Sequence, residues 1–560
     1  MSSSSPIERR PRQRHRGAPS PSVCFDSDEI PSDSPRKAER VNEQHITPRK
    51  ILEDFKDWLE ASSSMKTCAA LELAFARFTA EEGGGWWLST YSHRPTCMPR
   101  GFQYEGALGQ GSYGCVVAAT RTSDGSAVAL KLFTNTSHVP QSNSADDPDW
   151  STLRELRVLR LLPPCALIVQ PLEVVRCGPG DRTLCLVSEM MGESLESFIY
   201  YVYQQCYSPQ SAATAASEEE SNNLLSAFKH CSIRWIAQLL CALQFLHDCG
   251  VGHRDVKCAN ILLSLGAAEA LENGHQCRQV PKVKLCDFGL ARPYVRHRAP
   301  KRAVGDVTMR EMDKRRETAP ERLHRASDYG GYTQHVGTPV CLAPEVLCWS
   351  KHYSLAEADL WSLAADVIAR LVGGPWPSGL FSEDYTGDPD CNGVENMQDQ
   401  DAWILRRIAC VIGRPSDREL KAVCRNVAYR RVLEAQYFAG LTVEDASRPD
   451  AGLRELYEAS SPSGYDLLRS ILQWDPADRA SLEDAMNSEF FYSMGEHEWP
   501  ACDWKVCRLQ DSEDFDYEIG DSWDSRTLDS EMAWEVEAWQ KRSTQHHRSY
   551  TRGRAARRSY

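Results

Sequence analysis

Apolar positions recur along this chain at two spacings, and the spacing changes from segment to segment. Ile51, Leu52, Phe55, Trp58 and Leu59 fall at helical intervals, and Ala69 to Phe78 continues as an alanine-rich helical run. Beyond Phe102 the pattern shortens. Val116-Val117 and Val128-Ala-Leu-Lys131 are brief β-prone runs separated by polar residues, which predicts strand, turn, strand. Trp150, Leu153, Leu156 and Leu159 then mark one face of a helix, with Glu155 off that face. Ile233 to Asp248 is apolar on most sides and predicts an amphipathic to buried helix, with Gly250 placed as a left-handed cap. Polar, low-complexity stretches at 208–223 and 264–281 break this pattern and predict insertions, the first of them disordered. Residues 1–50, rich in Ser, Pro and Arg, predict a disordered tail that cannot bury enough surface to offset the entropy of folding.

Composition narrows the class. A chain of 560 residues buries a large core, and one large domain with tails fits it better than several small modules. A formal charge of −14 argues against overall nucleic-acid affinity. The 21 cysteines show no metal-type spacing and the start is not a signal peptide, so reduced thiols and an intracellular protein of nucleus or cytoplasm are expected. No apolar run approaches the roughly 20 residues that span a bilayer, so no membrane partner is expected. Arg9 to Arg16 reads equally as an import signal or a solvated basic arm.

The candidate chemistry sits in His253-Arg-Asp-Val-Lys-Cys-Ala-Asn260 and Asp287-Phe-Gly289. Asp255 can accept a proton from an attacking hydroxyl, Lys257 can neutralise a transferring phosphoryl group, and Asn260 and Asp287 can hold a metal ion. Such a reaction needs positioning and charge neutralisation rather than a nucleophilic side chain. Gly109-Gln-Gly111-Ser-Tyr-Gly114-Cys-Val116 is a glycine-rich phosphate loop whose strand context sets it apart from a dinucleotide-binding turn.

With these parts in order from Phe102 to Phe491, the chain resembles eukaryotic protein kinases of the CMGC group, and within it cyclin-dependent kinases. The resemblance implies an α+β bilobal fold, with a small antiparallel β lobe carrying one helix (102–191) and a larger helical lobe (192–492). It implies ATP and two Mg²⁺ in the cleft and protein substrates phosphorylated on Ser or Thr. Nucleotide would lie on Leu108, Gly109, Gln110, Gly111, Ser112, Tyr113, Gly114, Val116, Ala129 and Lys131, with adenine on the backbone of Glu189 and Met191. Glu155 would pair with Lys131, and His253 would be structural. Ser188, small where relatives are bulky, would leave an open back pocket.

The stretch Tyr332 to Glu345 resembles the activation segment of cyclin-dependent kinases. It places an activating phosphothreonine at Thr333, received by Arg154, Arg254 and Arg292, and sets Thr338 beside Asp255 and Lys257. By the same resemblance Ser112 and Tyr113 are inhibitory phosphosites, and Ser-Thr-x-Arg-Glu155 resembles the cyclin-contacting helix, so a cyclin-like subunit is implied. Leu342 stands where those kinases keep the arginine that helps select proline, and Gly337 and Cys341 also depart, so proline direction is not implied. A central helix from Asp359 to Val372, a salt bridge between Glu345 and Arg479, and a helix from Trp403 ending in Gly413-Arg-Pro415 complete the likeness. A mitogen-activated-type kinase is the alternative, weakened because His335 stands where its tyrosine belongs. A scaffold lacking activity is another, though every catalytic residue type is present.

Three regions lie outside the family pattern. Residues 51–101 would pack on the small lobe or dock a partner. Residues 293–328 lengthen the activation segment, with 11 Lys or Arg against 5 Asp or Glu between Arg292 and Arg325, either as a solvated loop or as an attractant for acidic partners. Residues 493–560 form an acidic then basic tail, with 11 Asp or Glu between Asp511 and Glu537, opposite in charge to that insert and able to fold back on it, and a basic, disordered end from Lys541 to Tyr560.

Overall fold

In the computed structural model the described residues are 95, 97–111, 114–133, 150–177, 183–207, 218–264, 282–294, 332, 336–375, 378–382, 397–439, 441, 451–494, 499–500 and 530–542. The expected N-terminal helices, Ser112 and Tyr113, nearly all of the insertions at 264–281 and 293–328, Thr333, and residues 501–529 of the acidic tail lie outside them.

Five antiparallel strands build the small lobe: β1 (Phe102–Gly111), β2 (Gly114–Arg121), β3 (Ala127–Phe133), β4 (Pro171–Cys177) and β5 (Thr183–Glu189), in the order β1-β2-β3-β5-β4. Side chains alternate across a strand, so Val128, Leu130 and Leu132 enter one apolar cluster with Val117, Cys185 and Val187. The same alternation turns Ala129 and Lys131 to the opposite face. That face meets helix α1 (Trp150–Leu161), whose Leu153 and Leu156 join the main core with Leu184 and Leu186 of β5.

The larger lobe is mainly helical, which completes the bilobal α+β architecture. Helix α2 (Leu195–Tyr207) packs on α3 (Glu218–Asp248), and Phe198 meets Trp235 edge to face. Helix α3 is a correction at its N-terminal end, because it begins inside the stretch expected to be disordered. Buried Leu224, Leu225 and Phe228 extend its apolar face toward the N-terminus, while exposed Asn222 hides the periodicity further upstream. Helix α4 (Leu355–Ser362) starts earlier than the expected Asp359, because Leu355 and Ala358 are already buried, and it runs through a π-helical turn, Leu363–Ile368, into Ala369–Gly373. Helix α5 (Met397–Ile412) ends as expected at Gly413, whose φ of +90° suits glycine, and α6 (Pro462–Ile471) follows later in the lobe.

Arg479 closes the lobe. Its Nη1 and Nη2 donate to the two oxygens of Glu345 at 2.8 and 2.7 Å, with both side chains buried. This is the expected pair in a bidentate, fully desolvated form.

The tail brings a second correction. Residues 530–542 form a helix, α7, so Lys541 and Arg542, expected in a disordered basic end, are its last turn. Met532, Val536 and Trp539 are buried in the main core. No helix among the described residues is long and apolar enough to cross a membrane.

Candidate active site

The cleft-facing end of β3 sets the first group. Lys131 Nζ donates to both oxygens of Glu155 on α1, at 2.7 and 2.8 Å, and to Asp287 Oδ1 at 2.9 Å. Burial alone would pull the Lys131 ammonium down; the Glu155 and Asp287 carboxylates outweigh it, and the group is raised above its ordinary value. Burial likewise pushes Asp287 up, but Lys131 reverses that and its carboxyl ends below the usual range. Lys131 and Asp287 therefore hold their charges together, with Glu155 bound to the same ammonium.

Beside them the loop after α3 carries the second group. Asp255 Oδ1 accepts the Thr338 hydroxyl at 3.0 Å, Lys257 Nζ donates to Thr338 Oγ1 at 2.7 Å, and Asn260 Nδ2 donates to Asp255 Oδ2 at 2.9 Å. Lys257 Nζ also lies 3.0 Å from Asp255 Oδ2. The carboxylate is thus aimed from three directions, as a positioned proton acceptor must be.

Backbone bonds fasten this loop to its surroundings. Asp359 of α4 accepts the N–H of His253 at 2.8 Å and of Arg254 at 2.7 Å, and Asp366, in the π-helical turn, accepts that of Cys258 at 2.7 Å. Arg254 and Asp287 sit at φ of +71° and +62°, strained for side-chain-bearing residues. Strain of about 1–3 kcal/mol each persists only where surrounding structure imposes it, as at functional sites. His253, wholly buried, is structural as expected: its Nε2 lies 2.9 Å from the Cys286 carbonyl and its ring meets Phe288 edge-on. The Cys286 N–H in turn donates to the Asn260 carbonyl at 2.9 Å, so the two candidate metal ligands, Asn260 and Asp287, belong to one tied unit.

These residues fit a metal–nucleotide complex. With Nδ2 donating to Asp255, the amide oxygen of Asn260 is the atom turned to other use, and Asp287 offers carboxylate oxygens of the kind Mg²⁺ prefers. Above the cleft Gly109 pairs with Val116, Gln110 with Cys115 and Gly111 with Gly114 in a hairpin, and Ala129 pairs with Ser188 across β3 and β5. A Cβ on Gly109 would meet nothing within 4 Å, so the space beside it is open to a ligand. Leu108 and Val116 are half-buried in the same hairpin. At the end of β5 the Glu189 N–H donates to the Gln170 carbonyl at 3.0 Å and its carboxylate pairs with Lys284 at 2.6 Å, while Met191 is buried.

Of the three arginines assigned to a phosphate, Arg254 and Arg292 both act on Tyr353. Burial pushes the Tyr353 phenol up, and both cations pull it back. Arg292 opens β7 (Arg292–Pro293), which pairs with β6 (Val251–Gly252), and α1, with Arg154, lies against β7.

Several contributors escape the sequence reading. Asp366 has no motif of its own. Gly337, read only as a departure, has φ of +111°, and a Cβ there would come within 2.7 Å of the Arg254 carbonyl and 2.9 Å of Leu342 Cδ2. The tail acids on α1 were missed too, although Met532, Val536 and Trp539 do recur at helical spacing.

Comparison with known proteins agrees with this geometry. The protein kinase domain family matches residues 102–491. A probable cyclin-dependent kinase 10 of Dictyostelium discoideum is 25% identical over 397 residues, covering 70% of this chain and 79% of the relative. The mitogen-activated protein kinase mpkA of Aspergillus fumigatus is 26% identical over 417 residues, covering 74% and 73%. The cyclin-dependent kinase G-1 of Oryza sativa is 27% identical over 401 residues, covering 70% and 43%. With its catalytic residue types in place and both kinds of CMGC relative beside it, the chain belongs to the protein kinase family, in the CMGC group of serine/threonine kinases.

Proposed function

We propose that this chain is a catalytically active, ATP- and Mg²⁺-dependent serine/threonine kinase of cyclin-dependent-kinase type. The observation that carries the reading is Lys131 held by Glu155 and Asp287 at once, the arrangement that active kinases of this family adopt. Bound Mg²⁺ would neutralise phosphate charge, held by Asn260 and Asp287. The protein's own residues do the rest. Lys131 orients the nucleotide phosphates, Asp255 receives the proton of the substrate hydroxyl as its oxygen bonds to the γ-phosphorus, and Lys257 offsets charge on the moving phosphoryl group as the bond to the β-phosphate oxygen breaks.

Phosphate on Thr333, received by Arg154, Arg254 and Arg292, would order the activation segment, and phosphate on Ser112 or Tyr113 would oppose nucleotide binding. Proline selection is not part of the proposal. Nucleus and cytoplasm are the proposed compartments. The cyclin-like subunit implied by the resemblance would meet α1, which already carries α7.

The test is phosphate transfer from Mg-ATP to a mixed peptide library, with Asp287→Asn as control. Transfer to Ser or Thr, lost in the variant, is expected. Nucleotide binding without transfer in the unaltered chain would favour the scaffold reading instead.

A further inference from the structure

Helix α1 has two working faces. Glu155 faces Lys131, and at 100° per residue Arg157 lies about 200° and Arg160 about 140° further round, on the rear. An arginine with 1% of its side chain exposed needs a partner, because an unpaired buried guanidinium is severely unfavourable.

The tail supplies one. Glu535, also fully buried, takes Arg157 Nε at 3.1 Å through Oε2 and Arg160 Nε through Oε1, while Glu531 takes Arg157 Nη2 at 2.8 Å. Both guanidinium groups also lie over the Trp534 ring, at 5.6 and 5.0 Å. Three further bonds reach the α1 backbone. Trp539 Nε1 donates to the Leu156 carbonyl at 3.2 Å, and Arg542 Nη1 donates to the carbonyls of Leu159 and Arg160 at 2.9 and 2.7 Å, a cation placed where the helix ends and its dipole is negative.

We infer that α7 is an activating clamp carried in the same chain: seated on the rear of α1, it holds Glu155 on Lys131 and does there what a separate regulatory subunit would otherwise do. Glu535 and Trp539 are its positioning residues. They touch neither nucleotide nor substrate and act only through the placement of α1. The rear of α1 is thereby filled by acid against base, indole against carbonyl and apolar side chains against core, so an activating partner would first have to displace α7.

This inference rests on the kinase reading, and its test separates the two. In the full chain, Glu535→Ala, Trp539→Ala and the milder Trp539→Phe, which keeps a ring but loses the N–H, are compared with the unaltered protein. Peptide phosphorylation and hydrogen exchange at amides 150–161 are both measured. The two alanine variants should lower kcat by about tenfold or more with the peptide KM nearly unchanged, and should speed exchange across α1 by a similar factor. Trp539→Phe should fall between them and the unaltered chain. A synthetic peptide of residues 526–545, added in trans, should restore kcat in the variants, which a merely misfolded protein would not allow.

Unchanged kcat and unchanged exchange in the alanine variants would overturn the inference, and so would a raised kcat, which would make α7 a brake. If the unaltered chain transfers no phosphate, the kinase reading fails, and the exchange comparison alone decides whether α7 holds α1.

Discussion

Asp359 accepts the backbone N–H of Arg254 at 2.7 Å while buried in the central helix of the larger lobe, and so tethers the catalytic loop through its main chain. The same carboxylate takes the N–H of His253, and its Oδ2 lies 3.1 Å from His247 Nε2. Asp359→Ala would leave those donors buried and unanswered, at a cost of about 1–3 kcal/mol for each. Chemical denaturation should show a loss of about 2–5 kcal/mol, with kcat falling further than the fraction folded explains, because Asp255 follows Arg254 in the tethered loop. Retained kcat per folded molecule would contradict this role.

Thr338 bridges the proton acceptor and its neighbouring cation. Thr338→Ser keeps the hydroxyl and should retain most activity. Thr338→Val keeps the shape, frees Lys257 and Asp255 from that link, and should lower kcat by about 10–100-fold with little change in the ATP KM. Equal kcat for the Ser and Val variants would show that the hydroxyl is not used.

Gly337 meets the catalytic loop with no room for a side chain. Gly337→Ala would force a Cβ against the Arg254 carbonyl at a φ that L-residues rarely adopt. A loss of about 1–3 kcal/mol of stability, with a sharp fall in activity, is expected. A stable, fully active alanine variant would mean that the segment shifts freely at this point.

Glu345 and Arg479 form a buried bidentate pair. Removal of one partner leaves the other charge uncompensated, so Arg479→Ala should destabilise the domain by about 3–5 kcal/mol in urea unfolding. A change under about 1 kcal/mol would show that water reaches Glu345 and relieves it.

The pH dependence follows from the raised Lys131 and the lowered Asp287. A raised lysine contributes stability and phosphate-binding charge below its ordinary value of 10.5 and loses them only as pH climbs through the higher folded value. A lowered carboxylate keeps its contribution above its ordinary value of 3.8 and loses it only as pH falls through the lower folded value. Neither group titrates in between. Nucleotide dissociation constants should therefore be flat between about pH 7.5 and 9.5, and a tenfold weakening across that interval would contradict the geometry.

How much of this was legible in the sequence differs from element to element. The catalytic loop and Asp287 were legible because phosphoryl transfer demands fixed residue types at short fixed intervals, whereas the Lys131–Glu155 and Glu345–Arg479 pairs, 24 and 134 positions apart, were legible only through the resemblance to protein kinases. The start of α3 was not, because its first turns carry polar side chains and only Leu224, Leu225 and Phe228 reveal the buried face. Asp366 was not, because its bond to the Cys258 N–H depends on a π-helical turn that local composition does not announce. Helix α7 was hidden by its acidity. A tail rich in Asp and Glu reads as solvated until Arg157 and Arg160, more than 370 positions earlier, are seen to need Glu535.

The central claim is that Lys131, Glu155 and Asp287 form the charge assembly of a working kinase. Phosphate transfer from Mg-ATP to a Ser/Thr peptide library, measured side by side for the unaltered chain and for Asp287→Asn, tests it most directly. Transfer by the unaltered chain that drops by about a hundredfold or more in the variant, with both proteins folded, is the predicted result. Equal transfer by the two, or none by a folded and nucleotide-bound unaltered chain, would contradict it.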